Sequence, residues 1–195
     1  MSSAFTTRRM TVRRFRADDW EDLADILTDK EVTYFEPYDT FTREACIREA
    51  ASLAESSEFY AVELDGKVIG KLFFSDKGFG SSEIGYTFNR SYHGNGYAYE
   101  SVTGMMGYAY EKLGVRRIFA QICARNIKSV RLAERLGMRR EALCKEMYPR
   151  KGEVGVFDDF YVYALLDKEY EAIHSSGMKY THTPVQKELI RCSEN

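Results

Sequence analysis

The run Ser91-Tyr92-His93-Gly94-Asn95-Gly96-Tyr97-Ala98 is where this chain is best equipped for chemistry. A β-rich run, residues 82–89, leads into it, and a long helix-like run, residues 96–113, leaves it. Glycines between a strand and a helix let backbone N–H groups approach an anion, and the helix N-terminus adds its partial positive charge. Such a loop can hold a pyrophosphate, although an ordinary glycine turn carries the same short pattern. In the strand before it, Ile84, Tyr86 and Phe88 point one way and Glu83, Gly85, Thr87 and Asn89 the other. A second candidate run, residues 126–138, follows the next strand. There Asn126 suits a helix N-cap, and Gly137 suits the left-handed position that ends a helix.

These residues need a scaffold, and periodicity supplies one. Residues 10–15 read as a first strand with Met10, Val12 and Arg14 on one face; residues 17–28 read as a helix with Trp20, Leu23, Ile26 and Leu27 together. A polar-aromatic stretch, residues 32–41, precedes a second helix, 43–54, that Thr42 can cap. Residues 58–64 and 67–75 form a hairpin around Asp65-Gly66, a type I′ turn signal. After the strand 82–89, the helix 96–113 buries Ala98, Val102, Met105, Ala109 and Leu113, with Met105 and Met106 as core filler. A strand at 116–124, a helix at 126–136 and strands at 138–145 and 157–166 complete the set, and a polar tail starts at about Ser175. One β-loop-α-β unit inside a mostly hairpin-connected sheet gives an α/β domain in three layers (α+β), not a doubly wound dinucleotide fold.

At 195 residues the chain suits one well-buried domain. Hydrophobic residues at 44% and charged residues at 30% describe a globular protein. No apolar run approaches the roughly 20 residues of a spanning helix, and the first residues lack the apolar core of a secretory signal. The four cysteines show no C-x-x-C spacing and the three histidines no ligand spacing, so no metal site is expected and reduced thiols in the cytoplasm are. A net charge of −2 argues against a nucleic-acid partner. The acidic cluster Asp18, Asp19, Glu21, Asp22 and Asp25 reads as the charged start of a helix before it reads as a lure for cations.

Ile84-Gly85-Tyr86 followed by His93-Gly94-Asn95-Gly96-Tyr97-Ala98 and Glu100 resembles the acetyl-CoA signature of Gcn5-related N-acetyltransferases (GNAT). The run Asn126-x-x-Ser129-x-x-Leu132-x-Glu134-x-Leu136-Gly137-Met138 resembles the second half of that signature, at fitting spacing. The branch it most resembles is the ribosomal-protein N-terminal acetyltransferase (RimJ/RimL-like) type. The resemblance implies the acyl-CoA N-acyltransferase fold, with a mixed central sheet of about seven strands and helices on both faces. It covers residues 10–166, with the domain set at 8–168 and a C-terminal extension at 169–195. It implies acetyl-CoA as co-substrate, held by Tyr86, Thr87, Phe88, His93, Gly94, Asn95, Gly96, Tyr97, Ala98, Asn126 and Ser129. The family often has Gln or Arg where His93 stands, which leaves the binding to backbone donors. The pantetheine arm would pair with strand edges in a splay between residues 86–88 and 117–124.

Acetyl transfer to an amine needs a neutral nucleophile, a stabilised oxyanion and a proton for the departing thiolate. Glu83 is the first candidate base, with Asp158 and Asp159 behind it, and the N–H of Tyr86 or its neighbour can polarise the thioester carbonyl. Ser129 is a candidate acid, and Tyr161 and Tyr163 are rivals. Cys123 has no evident His partner, so a covalent cysteine route is not expected. Glu36, Tyr38 and Asp39, in an aromatic stretch that faintly resembles spermidine acetyltransferases, would suit a cationic acceptor. The resulting expectation is an N-acetyltransferase acting on a primary amine, either a peptide or protein N-terminus or a small molecule. A polyamine acetyltransferase is the alternative among enzymes, and a non-catalytic acyl-CoA sensor the alternative to an enzyme. No membrane partner is expected, and a homodimer is compatible with the reading.

Overall fold

A computed structural model describes residues 3–174. Eight strands form one sheet: β1 (Ser3–Thr6), β2 (Thr11–Arg14), β3 (Phe59–Leu64), β4 (Lys67–Asp76), β5 (Ser81–Phe88), β6 (Arg117–Cys123), β7 (Arg139–Pro149) and β8 (Phe157–Leu166). Six α-helices accompany them: α1 (Trp20–Leu27), α2 (Lys30–Thr33), α3 (Arg43–Glu55), α4 (Tyr97–Lys112), α5 (Ile127–Arg135) and α6 (Asp167–His174). The strand order is β1-β2-β3-β4-β5-β6-β8-β7, antiparallel except for β5 beside β6. That one parallel step is made by the loop and helix α4, as a right-handed crossover requires a helix-length connection.

Helices pack on both faces of the sheet. On one side Val102, Met105, Met106 and Ala109 of α4, with Ala133 and Leu136 at α5, pack on Ile84, Phe88, Ile118, Ala120 and Ile122. On the other, Leu23, Ile26 and Leu27 of α1 and Cys46, Ala50 and Leu53 of α3 pack on Ala61 and Val68. The three layers expected from the sequence are present. The Asp65-Gly66 turn has both residues at positive φ, 50° and 83°, as a type I′ turn demands.

Several expectations need correction. The sheet has eight strands rather than about seven, because Ser3–Thr6 adds an edge strand whose single large apolar residue, Phe5, stacks on Tyr108 of α4. The stretch 32–41 begins inside a short helix, α2, capped by Asp29. β7 runs on to Pro149, and α6 follows β8 directly. Arg14 is exposed and stacks on Tyr60, whereas Arg13 is the buried one, paired with Asp19 at 2.8 Å and Glu63 at 2.6 Å. Leu113 caps α4 half exposed instead of joining its core face. The acidic cluster is structural: besides Asp19, Asp22 accepts the N–H of Val68 at 2.7 Å and Asp25 pairs with Lys67 at 3.0 Å. No helix of the described residues is long and apolar enough to cross a membrane. The polar tail from about Ser175 lies outside the described residues.

Candidate active site

The parallel pairing of β5 and β6 covers only Ser81, Ser82 and Glu83 against Arg117, Ile118 and Phe119; beyond Glu83 the strands part. Each keeps its outer neighbour, β4 for β5 and β8 for β6. The N–H of Asn89 donates to the C=O of Ile69 on the β4 side at 2.9 Å. Antiparallel ladders alternate, so the N–H and C=O of Tyr86, the C=O of Ile84 and the N–H of Phe88 turn the other way, into the gap. The sheet therefore offers unpaired backbone groups at its centre, where a strand-like ligand could bind as an added strand.

A cavity of about 640 Å³ runs through this gap. Its lining on the α4–α5 face includes Ile84, Tyr86, Ala120, Ile122, Asn126 and Ser129; on the α1–α3 face it includes Glu36, Tyr38, Lys71, Phe73, Thr87 and Phe160. Tyr86 donates its phenol to the C=O of Ser129 at 3.2 Å, tying the first turn of α5 to β5, and burial pushes that phenol's pKa up. Asn126 caps α5, its Oδ1 accepting the N–H of Ser129 at 3.2 Å. The two halves of the sequence signature thus meet across the splay.

The glycine loop lies beyond the end of β5, outside the cavity's lining. Gly94 and Gly96 have φ of 81° and 80°, and a Cβ at Gly94 would meet nothing within 4 Å. Gly96 is the N-cap of α4 and provides no side-chain cap, which leaves the helix's opening N–H groups to a ligand. Arg9 braces the loop: it donates to the C=O of Asn95 at 3.0 Å, stacks over Tyr97 at 4.4 Å and pairs with Glu100 at 2.7 Å. The His93 ring turns away from any anion, its Nε2 donating to the C=O of Phe88 at 3.0 Å, while the Asn95 amide donates to the C=O groups of Tyr92 and His93. Phe88 itself is core. An open, positive-φ cradle continuous with a row of unpaired strand groups fits acetyl-CoA.

On the acceptor side, Glu83 lines the cavity at the point where the strands part, with Lys77 at 3.3 Å. Asp158 is taken up by Arg125 at 3.1 Å and Arg150 at 2.9 Å. Asp159 accepts from Lys145 and from the N–H of Glu146, which holds its carboxyl below the usual range. Tyr161 does not line the cavity: it faces the α4–α5 side, against Tyr163 and under the Arg140 guanidinium at 4.6 Å. Tyr163 donates to Glu134. Cys123 lines the cavity, but burial pushes its thiol up and no histidine accompanies it. Among the described residues no group of His, Cys, Asp and Glu is arranged to hold a metal.

Glu36 accepts from the Thr87 hydroxyl at 2.9 Å, and burial raises its pKa. Asp39 lines the cavity from an exposed position. Tyr38 accepts from Lys71 Nζ at 3.0 Å. Sequence reasoning missed Lys71, 5% exposed, whose pKa burial lowers against the pull of Glu36 and Glu49. It also missed Lys151, which donates to the C=O groups of Thr33 and Tyr38 and so ties the β7–β8 loop to the segment 33–38. Glu49 had a legible signal: it interrupts the apolar stripe Cys46, Ala50 and Leu53 on the inner side of α3.

Residues 9–139 match the acetyltransferase (GNAT) domain family. The chain is 32% identical to the N-acetyltransferase YnaD of Bacillus subtilis (strain 168), over 85% of this chain and 98% of that protein. A GNAT-family acetyltransferase from Bacillus anthracis superimposes with a TM-score of 0.78 at 29% identity, covering 85% of this chain and 99% of that one. The ribosomal-protein-S5-alanine acetyltransferase from Vibrio fischeri shares the fold at 20% identity, with a TM-score of 0.72 over 87% and 99% of the two chains. The splayed sheet and its glycine loop thus have their counterpart in sequence: the chain belongs to the GNAT acetyltransferase family, an N-acetyltransferase using acetyl-CoA.

Proposed function

We propose that this enzyme acetylates the primary amine of a small molecule by direct attack of the amine on the thioester. The observation that carries this reading is the cavity through the splay, which opens to the glycine-loop side of the sheet and to an acceptor side lined by carboxylates and aromatic rings. Acetyl-CoA supplies an activated acetyl group. Tyr86 directs its backbone N–H into the gap, where it can stabilise an oxyanion. Glu83 sits at the point where the strands part, 3.3 Å from Lys77, and takes the proton that the acceptor amine must lose, directly or through water. Ser129, at the N-terminal turn of α5, is the candidate donor toward the departing thiolate.

A protein N-terminus, the acceptor of the RimJ/RimL-like branch, needs a groove open to an extended chain. Here Lys151 fastens the β7–β8 loop to the segment 33–38 across the acceptor side, and Arg125 adds a 3.0 Å bond to Tyr34. Closure of this kind favours a compact acceptor. The test is thiol release from acetyl-CoA with a panel of small amines and of peptides with free N-termini. Turnover of the small amines is expected; turnover of peptides alone would overturn the acceptor assignment, and cofactor binding without any turnover would favour the sensor.

A further inference from the structure

Two lysines line the cavity, Lys71 and Lys151, and they are held differently. Lys151 is half-buried and donates to two backbone carbonyls. Lys71 is buried, and its one hydrogen bond among the described residues runs from Nζ to the Tyr38 hydroxyl at 3.0 Å. The rings of Tyr38 and Phe59 lie 4.6 and 5.3 Å from it, and Glu36 and Glu49 face it without forming an ion pair. Loss of a proton from Lys71 leaves the bond to Tyr38 intact, because a neutral amine keeps N–H donors and gains a lone pair.

Register puts this amine in the reaction chamber. Lys71 of β4 stands directly opposite Thr87 of β5, next to Tyr86, whose N–H points into the gap. Cβ atoms of such a pair lie about 5 Å apart. Desolvation favours the neutral, nucleophilic form of a lysine. Burial lowers the pKa of Lys71 and raises that of Glu36, two shifts that ease passage of a proton from ammonium to carboxylate. We propose that Lys71 is a self-acetylation site: with acetyl-CoA bound and no acceptor in the cavity, Nζ swings on its flexible stem from Tyr38 toward the gap and takes the acetyl group. The ammonium proton passes to Glu36 or Glu49 and on to solvent. The N–C bond forms, the C–S bond breaks, and CoA leaves as a thiolate that takes up a proton. The product is an amide, which unlike a thioester does not pass its acetyl group to a second amine. The step is therefore a single turnover that leaves a neutral, bulkier side chain in the acceptor wall. It draws only on the family's acetyl-transfer chemistry and holds for whichever amine is the natural acceptor.

The test incubates the full chain with acetyl-CoA and no amine, and maps acetylation by mass spectrometry of its peptides. Lys71 should be modified at least about tenfold faster than the exposed Lys112 and Lys128, a lower bound for attack on a bound donor. Excess CoA, which competes for the cofactor site, should suppress modification of Lys71 and spare the exposed lysines. Lys71→Arg should lose the fast single-acetyl species in the intact mass, and Lys71→Met serves where the wall does not house a guanidinium. The wild-type map stands without either variant. Lys71 left unmodified while exposed lysines react overturns the proposal. Acetylation of Lys71 that excess CoA does not slow also overturns it, because that is chemistry from bulk solution.

Discussion

Gly96→Val tests the phosphate cradle, and its two consequences can be separated. At φ 80° Gly96 occupies the left-handed region, where an L-residue costs about 1–2 kcal/mol. A Cβ there would meet only Arg9 Nη2 at 3.6 Å, an ordinary contact, so no core packing is lost. Against a domain stability on the order of 5–15 kcal/mol, the variant stays folded, with a urea midpoint lowered by the strain alone. The side chain stands beside the opening N–H groups of α4, and CoA affinity should fall at least about tenfold, or roughly 1.4 kcal/mol. Gly94→Ala is the control for strain, since φ is 81° there and nothing lies within 4 Å of the added carbon. Pantetheine, which lacks the pyrophosphate, should bind the Val variant as it binds the wild type. Isothermal titration reads all of these. Unchanged CoA affinity in a folded Gly96→Val protein would remove the loop from the site.

Glu83→Gln should preserve acetyl-CoA affinity and lower kcat by roughly a hundredfold, a loss that shrinks as pH rises toward the acceptor amine's own pKa; a full-rate variant would exclude Glu83 as the base. Thr87→Val strips the 2.9 Å donor from the half-buried Glu36 and should cost about 1–3 kcal/mol at pH 7. Because burial raises the pKa of Glu36, that cost belongs to the ionised form and should grow as pH rises through the folded value; urea midpoints independent of pH would refute the linkage. Glu100 is held below the usual glutamate range: burial works against this, but hydrogen bonds from Thr7 and Arg9 prevail. Its stabilisation is present above the unfolded pKa and is lost as pH falls through the folded one. Glu100→Gln should therefore be destabilised at pH 7 and converge on the wild type in acid, and a gap that persists at low pH would contradict the assignment.

The sequence was most legible where one contiguous segment does the work. The strand β5, the glycine loop and α4 follow one another, and glycines at φ 81° and 80° leave a mark that few other structures require. Asn126 and Gly137 bracket α5 for equally local reasons, a side-chain cap at one end and a left-handed residue at φ 82° at the other. β1 escaped notice because pairing with β2, rather than its own pattern, makes Ser3–Thr6 a strand. Tyr161 was misjudged by one position: neighbouring residues on a strand face opposite ways, so Phe160 meets the cavity and Tyr161 meets Arg140.

The acceptor side was hard to read for a different reason. Its wall is assembled from the segment 34–39, α3, β4, β5 and the β7–β8 region, which meet only when the sheet is complete. Lys71 shows the difficulty. In sequence it is one charged residue in an apolar strand, and a solvent-facing lysine is the ordinary expectation for that position. Only its register opposite Thr87, with Glu36 hydrogen-bonded to that threonine and Tyr38 accepting from its ammonium, reveals a buried charge held in a polar-aromatic wall. Cofactor recognition rests on backbone geometry, which local residue types dictate. Acceptor recognition rests on side chains from distant segments, so it can be argued only from their assembled geometry and not from any motif.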